Sequence, residues 1–342
     1  MIHLLKEVGR GKRGARDLTY EESLEAAEAI MSLTATPAQI GAFFIAERIK
    51  MESVEELEAF VAVCRSEAHR ETVQEGIDCA GPYDGRKKSF YATFAAAFVL
   101  AAAGLPVTLH GTSSLPPKWG TTLHDLLRLI GIDPDSAERD IWIRAAKETG
   151  VLYAAAEQWC PPLKQLRPIR EELGMRTVLN TAEKLIDFGR SPYVVFGVYH
   201  NTVIDRLTRL LTKLNYKKAM IVQGAEGSED LFIDRPTRTY IVENGANSLH
   251  VINPESLGLD TPVPELAWTS ELQLQVTEAV LRGDADLGFI HQVLLNAAYR
   301  LYHSGRAGSL EEALYTCKGL MDSGAPRERF ERWKRLLIWK QN

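Results

Sequence analysis

Four stretches of this 342-residue chain hold side chains of a type and spacing that can do chemistry. The first is CAGPYDGRKKSFYAT, residues 79–93, where glycines and a cationic run precede an alanine-rich segment. A glycine loop entering a helix holds phosphate, because its backbone N–H groups and the helix dipole converge on the anion. Pro82 removes one donor, while Arg86, Lys87 and Lys88 add charge. The same run also fits an ordinary solvated turn.

The second stretch, LHGTSSLPPKWG at 109–120, offers His110, hydroxyls and Lys118 at the end of an apolar run. His110 there is either a chemical group or a structural one bonded to a nearby carbonyl. The third, VQGAEGSED at 222–230, carries Glu226, Glu229 and Asp230 after two glycines. Adjacent carboxylates can hold Mg²⁺ together with phosphate oxygens, or form a solvated acidic turn. The fourth is RPIREELGMR, with Arg167, Arg170 and Arg176. Arg170 can clamp a carboxylate bidentately or pair with Glu171 or Glu172 at the surface. No residue is singled out as catalytic.

The elements that position these stretches are legible in outline. Residues 1–72 read as helices only, with capping-box spacing at Thr19/Glu22, Thr36/Gln39 and Ser53/Glu56. Ala26, Ala27, Ile30 and Met31, and then Ile40, Phe43, Phe44 and Ile49, give each helix one apolar face. This unit reads as a packing or dimerisation module. From about residue 77, β-rich runs (PVTLHG, YVVFGVYH, KAMIVQG, RTYIV and LHVINP) alternate with helical runs. Alternation of this kind predicts a mainly parallel sheet flanked by helices, with ligands at the carboxyl edge of its strands. Residues 164–190 return to helical character and are expected to join the N-terminal helices. The expected division is 1–72, joined by 164–190, against an α/β domain of 73–163 and 191–342. From about 270 the chain reads as helical again.

Composition narrows the class. A net charge of −5 excludes a protein that is basic overall, though not a local basic groove. Cys64, Cys79, Cys160 and Cys317 lie far apart, which argues against a zinc site or disulfide framework and for reduced thiols. The N-terminus turns polar too early for a leader, and FAAAFVLAAAGLPV is too short to span a bilayer. The expectation is a cytoplasmic protein with no membrane segment.

Taken in order, FAAAFVLAAAGLPVTLHG, LRPIREELGMRTVLN, VQGAEGSED, LLNAAYRLYHSGRAGSLEEAL and SGAP resemble the anthranilate phosphoribosyltransferase family, glycosyltransferase family 3, across nearly the whole chain. The resemblance implies an α/β fold: a small all-helical domain beside a larger domain with a mainly parallel central sheet. It also implies a homodimer through the helical domain. In active members phosphoribosyl pyrophosphate and Mg²⁺ bind the glycine loop and an acidic pair, and an aromatic amine displaces pyrophosphate. Carried over by position, the phosphate and ribose ligands are Gly81, Asp84, Gly85, Arg86, Lys87, Thr93, His110, Gly111, Thr112 and Lys118. Arg170 and His110 would face the acceptor, and Glu229 and Asp230 would hold Mg²⁺.

The letters depart from the family pattern where diphosphate is cradled. The GTGGD loop aligns with Gly81-Pro82-Tyr83-Asp84-Gly85, so only the first glycine is retained. Asp84 would repel an anion unless Arg86 or Lys87 neutralised it. The N-x-S-T run becomes Tyr91-Ala92-Thr93-Phe94, and KHGN becomes Leu109-His110-Gly111-Thr112. Two functions follow. One is a protein that binds a phosphorylated ribose or nucleotide-like molecule and transfers phosphoribose to an amine. The other is a retired enzyme that binds nucleic acid through residues 86–88, Lys118, Arg167, Arg170 and Arg176, with Tyr83, Phe90 and Trp119 stacking bases. A scaffold without a ligand is the third option.

Overall fold

The computed structural model describes residues 1–11, 13–72 and 75–338. Its first helices are α1 (Ile2–Val8), α2 (Tyr20–Met31), α3 (Pro37–Lys50) and α4 (Val54–Glu67). Each expected capping box is present: the Thr19, Thr36 and Ser53 side chains accept from the amides of Glu22, Gln39 and Glu56, which bond back. Such caps satisfy amides that have no partner within the helix. α2 packs on α4 and α1 on α3, burying Ala26, Ile30, Phe43, Phe44, Phe60 and Val61. Ile49, expected on the apolar face, is 65% exposed. Glu47 is fully buried among these helices, and neither carboxyl oxygen has a hydrogen-bond partner.

The second half of the fold runs β1 (Ile77–Ala80), α5 (Ala92–Ala102), β2 (Val107–Gly111), α6 (Leu123–Leu129), α7 (Arg139–Thr149) and β3 (Val151–Ala155). It continues through α8 (Ala156–Trp159), α9 (Pro161–Leu173), α10 (Leu179–Ala182), β4 (Tyr193–Gly197), α11 (Ile204–Lys213) and β5 (Lys218–Val222). The hairpin β6 (Thr237–Glu243) and β7 (Ala246–Ile252) follows, then α12 (Ser270–Arg282), α13 (Leu287–His303), α14 (Leu310–Ser323) and α15 (Ala325–Ile338). The seven strands form one sheet in the order β3-β2-β1-β4-β5-β6-β7. β3 to β5 are parallel and β6 and β7 antiparallel. Asn244 and Gly245, both at positive φ, make the tight turn between β6 and β7.

β1 is the switch point, because the chain leaves it toward β2 on one side and β4 on the other. In open α/β sheets the crevice beyond the carboxyl end of such a strand takes the ligand. The loops after β1, β2 and β5 are the first three stretches named above. The fourth stretch lies on a helix: Arg167 and Arg170 are on α9, which packs on α2 and α3. α5 is apolar all round and buried along its length, packed by α13 and α15. Phe94 and Phe98 meet Phe330 and Trp333 there in edge-on contacts.

Candidate functional site

The loop 81–91 connects β1 to α5 and closes over the sheet's carboxyl edge. Two glycines in it have steric reasons. Gly85 has φ +76, and a Cβ there would lie 2.4 Å from the Gly120 carbonyl oxygen. A Cβ on Gly81 would lie 2.6 Å from Glu229 Oε2. The loop is stitched to the segment after β2: the backbones of Arg86 and Thr121 exchange hydrogen bonds of 2.8 and 2.9 Å.

The Arg86 side chain turns inward instead of facing a ligand. It is 1% exposed; its Nη1 lies 2.5 Å from Asp230 Oδ2 and its Nη2 3.5 Å from Glu229 Oε1. Its guanidinium covers the Tyr91 ring, 4.0 Å from the centroid. Arg300 of α13 completes the cluster, donating to Thr93 Oγ1 at 2.8 Å and to the Glu229 carbonyl at 2.9 Å. Thr93 donates both its amide and its hydroxyl to Asp230. Burial opposes charge on Asp230, but Arg86 and Arg300 outweigh it and hold its pKa below the usual carboxylate range.

The pair expected to take a metal, Glu229 and Asp230, is therefore already compensated by two guanidinium groups. Glu229 Oε2 alone of its four oxygens has no contact from these groups and no hydrogen-bond partner. Among the described residues no group of three or more His, Cys, Asp or Glu could hold a metal ion.

Asp84 is buried, and its charge is met by neither Arg86 nor Lys87. Lys118 Nζ lies 3.0 Å from its Oδ1, and Arg176 reaches within 3.9 Å of Oδ2. Burial lowers the pKa of Lys118 despite that partner. Lys87 and Lys88 point outward, while their backbone amides serve Glu226. Its carboxylate accepts 2.9 Å bonds from Lys87 N and Lys88 N and a 2.8 Å bond from Ser89 Oγ.

Tyr83, at a family glycine position, fills the crevice. Its hydroxyl lies 2.6 Å from His110 Nδ1 and 3.2 Å from the Glu183 carbonyl. His110 Nε2 lies 2.8 Å from Asp78 Oδ1. Burial, then the charge of Glu183, pushes the Tyr83 phenol well above its ordinary value. The cavity left between Gly81, Tyr83, Tyr91, His110, Gly111, Thr112 and Glu229 measures about 20 Å³. At roughly 10–15 Å³ for one water on this measure, that is room for about one water molecule.

Arg170 pairs with none of its expected partners. It forks onto the buried Glu183, Nη1 to Oε2 at 2.7 Å and Nη2 to Oε1 at 2.9 Å. Arg167 is likewise engaged, with Glu157, Glu171, Thr112 Oγ1 and the carbonyls of Ser113 and Ser114. Sequence reasoning missed Asp78, Glu183, Arg300 and Lys184. Lys184 is buried, donates to the Gly197 carbonyl at 2.7 Å and has its pKa lowered to about 7, first by burial and then by Arg176. Only Arg300 sat in a motif already singled out, LLNAAYRLYH.

Comparison with known proteins agrees with this architecture. Residues 2–68 match the helical bundle domain, and residues 77–327 the a/b domain, of the glycosyl transferase family. The chain is 34% identical over 326 residues to a protein named anthranilate phosphoribosyltransferase from Thermomicrobium roseum, covering 93% of this chain and 92% of that one. Its fold is that of the anthranilate phosphoribosyltransferase from Thermus thermophilus, with TM-score 0.84, 24% identity and coverage of 98% and 99%. It is also that of the Saccharomyces cerevisiae enzyme in complex with PRPP and Mg, with TM-score 0.80, 17% identity and coverage of 98% and 97%. With both domains matched and a relative at this identity along nearly the full length, the chain belongs to the glycosyl transferase family that includes the anthranilate phosphoribosyltransferases.

Proposed function

We propose that this chain is a family member that has given up phosphoribosyl transfer and binds a polyanion, single-stranded nucleic acid, on the rim of its closed cleft. The observation that carries the reading is Arg86 held between Glu229 and Asp230, over a remnant cavity of about 20 Å³. Transfer of phosphoribose needs cations and amides free to meet a leaving diphosphate; here the cations are spent on protein carboxylates. The cleft also holds Tyr83 and Asp84 where glycines would admit diphosphate.

The residues that support polyanion binding are fewer than the sequence suggested. Arg86, Arg167 and Arg170 are engaged in ion pairs, and Tyr83 and Phe90 are buried. Lys87 and Lys88 remain exposed, with Arg176, which is 3.9 Å from Asp84, and Trp119, which is 48% exposed. Exposed Ile2, Ile49 and Met51 on the helical unit support a second copy there, which would double the rim.

Kinship supports the second reading, phosphoribosyl transfer to an aromatic amine, with the Thr93 hydroxyl and Lys118 in place. On that reading Arg86 must first leave, after which Glu229 and Asp230 would hold Mg²⁺, and the bound ion would supply positive charge beside the diphosphate. Calorimetric titration separates the two. The first reading expects no heat with phosphoribosyl pyrophosphate and Mg²⁺, and oligothymidylate binding whose affinity falls steeply with salt. Saturable binding of the small molecule followed by turnover of anthranilate would overturn it.

A further inference from the structure

We infer that the groove at the amino ends of β1, β4 and β5 binds a small organic anion, whose carboxylate or phosphate oxygens are taken by the Arg70 and Arg190 guanidinium groups. The loops of the main cleft follow the carboxyl ends of the strands. This groove is lined by residues that precede Ile77, Tyr193 and Lys218, so it lies at the opposite edge of the sheet. It measures about 570 Å³, within the ~300–1,000 Å³ of small-molecule sites. Three connections build it: Arg70 stands between α4 and β1, Asp187 and Arg190 between α10 and β4, and Asn215 and Tyr216 between α11 and β5. Arg70 Nε donates to the Asp187 carbonyl at 3.0 Å and Nη2 to Asp187 Oδ2 at 2.9 Å, which ties the first connection to the second. Ser191 N takes the other carboxylate oxygen, Oδ1, at 2.7 Å.

Unmet donors, charge and backbone point to a ligand here. Among the described residues Arg70 Nη1 has no acceptor, although the side chain is only 20% exposed. Arg190 has no carboxylate within 4.0 Å among the described residues. Burial lowers the pKa of Arg70, and the charges of Arg65 and Arg190 lower it further, so Asp187 does not balance the cluster. Arg65 is itself engaged, donating to the Leu185 carbonyl at 2.9 Å and the Tyr216 hydroxyl at 3.0 Å. Glu75 stands on the groove as a second acid, against these three guanidinium groups. An anion on Arg70 and Arg190 would meet the excess, and guanidinium forks suit carboxylate and phosphate alike. Asp187, Arg190 and Asn215 have φ of 58, 48 and 60. Left-handed backbone is uncommon outside glycine and is held where the surroundings demand it, often beside a ligand. Pro192, Leu214 and Tyr216, each partly buried, give an apolar wall for the organic body. The site stands on neither reading of the main cleft, because it shares no residue with it.

The probes are benzoate, phenyl phosphate and inorganic phosphate. Calorimetry on the native chain and on Arg190→Ala is paired with amide NMR. Benzoate or phenyl phosphate should saturate the native chain and bind Arg190→Ala about tenfold more weakly, the loss of one charge-assisted pair. Whichever of the two binds more tightly identifies the acid group. Inorganic phosphate should bind more weakly than its phenyl ester, because it leaves the apolar wall bare. The amides of Arg190, Ser191, Asn215 and Tyr216 should shift on titration. Arg190 is exposed, so its replacement spares the core, and Arg190→Lys should recover part of the affinity. No saturable binding to the native chain, equal affinities in the native chain and Arg190→Ala, or shifts confined to residues 81–93 would overturn the inference. So would displacement of phenyl phosphate from these amides by oligothymidylate, which would make the groove part of a polyanion surface.

Discussion

Arg86 and Asp230 lie 144 positions apart in the chain and 2.5 Å apart in the fold, a buried ion pair at the place where the family cradles diphosphate. The Arg86 guanidinium is part of the core. Removing it should therefore change what the cleft can bind as well as how stable the fold is.

Arg86→Ala should strand Glu229 and Asp230, leaving Arg300 as the only cation on Asp230. Breaking a buried pair in this way costs ~3–5 kcal/mol. Mg²⁺ should restore part of that loss in the variant and do little for the native chain. Thermal unfolding with and without Mg²⁺ checks this; an equal response in both proteins would count against the cluster as drawn.

For Arg170 the structural role predicts a stability phenotype. Arg170→Ala leaves Glu183 buried and unpaired and should cost ~3–5 kcal/mol in urea unfolding. The double variant Arg170→Met/Glu183→Leu should recover most of it, since apolar replacement of a buried pair is often close to neutral. A native-like midpoint for Arg170→Ala would return this arginine to the acceptor role.

Glu47 sets one limb of the pH profile. Burial, followed by the charge of Glu56, raises its pKa from 4.5 to about 9, with Lys50 at 3.7 Å and Glu52 nearby. The folded state thus holds a proton that the unfolded state has lost. The contribution is complete below pH 4.5 and declines to about pH 9, at ~1.4 kcal/mol per unit for a full proton. Glu47→Gln should flatten that decline in stability measured by denaturant across the window.

Lys184 acts with the opposite sign. Its pKa falls from 10.5 to about 7, so between those values the unfolded chain binds the extra proton and stability rises with pH. Lys184→Met should remove that rise. The same denaturant series, continued to about pH 10, the upper end of the lysine range, reads it. A variant with unchanged slope would show that Lys184 stays charged.

Much of the framework was legible because it is written in local rules. The three capping boxes and the apolar helix faces need only neighbours three and four residues away. β1 and β3 escaped notice for opposite reasons. IDCA is four residues with an internal aspartate, and VLYAA runs directly into α8, so its alanines read as helix. The site was legible in position and obscure in partnership. Which carboxylate meets Arg86, Arg170 or Lys118 depends on contacts across as many as 144 positions, and no spacing rule reaches that far. Asp78 and Glu183 escaped because single acids inside a strand or short helix look like any other.

The Tyr83–His110–Asp78 chain sits a few residues from Arg86 and fixes the same loop to the sheet. Each group in the two clusters now depends on another for its charge or its hydrogen bond. A single reversion toward the family pattern would expose an unmatched acid or an empty volume before it admitted any ligand. The loop thus ties its side chains together: changing one of them alone leaves another without its partner.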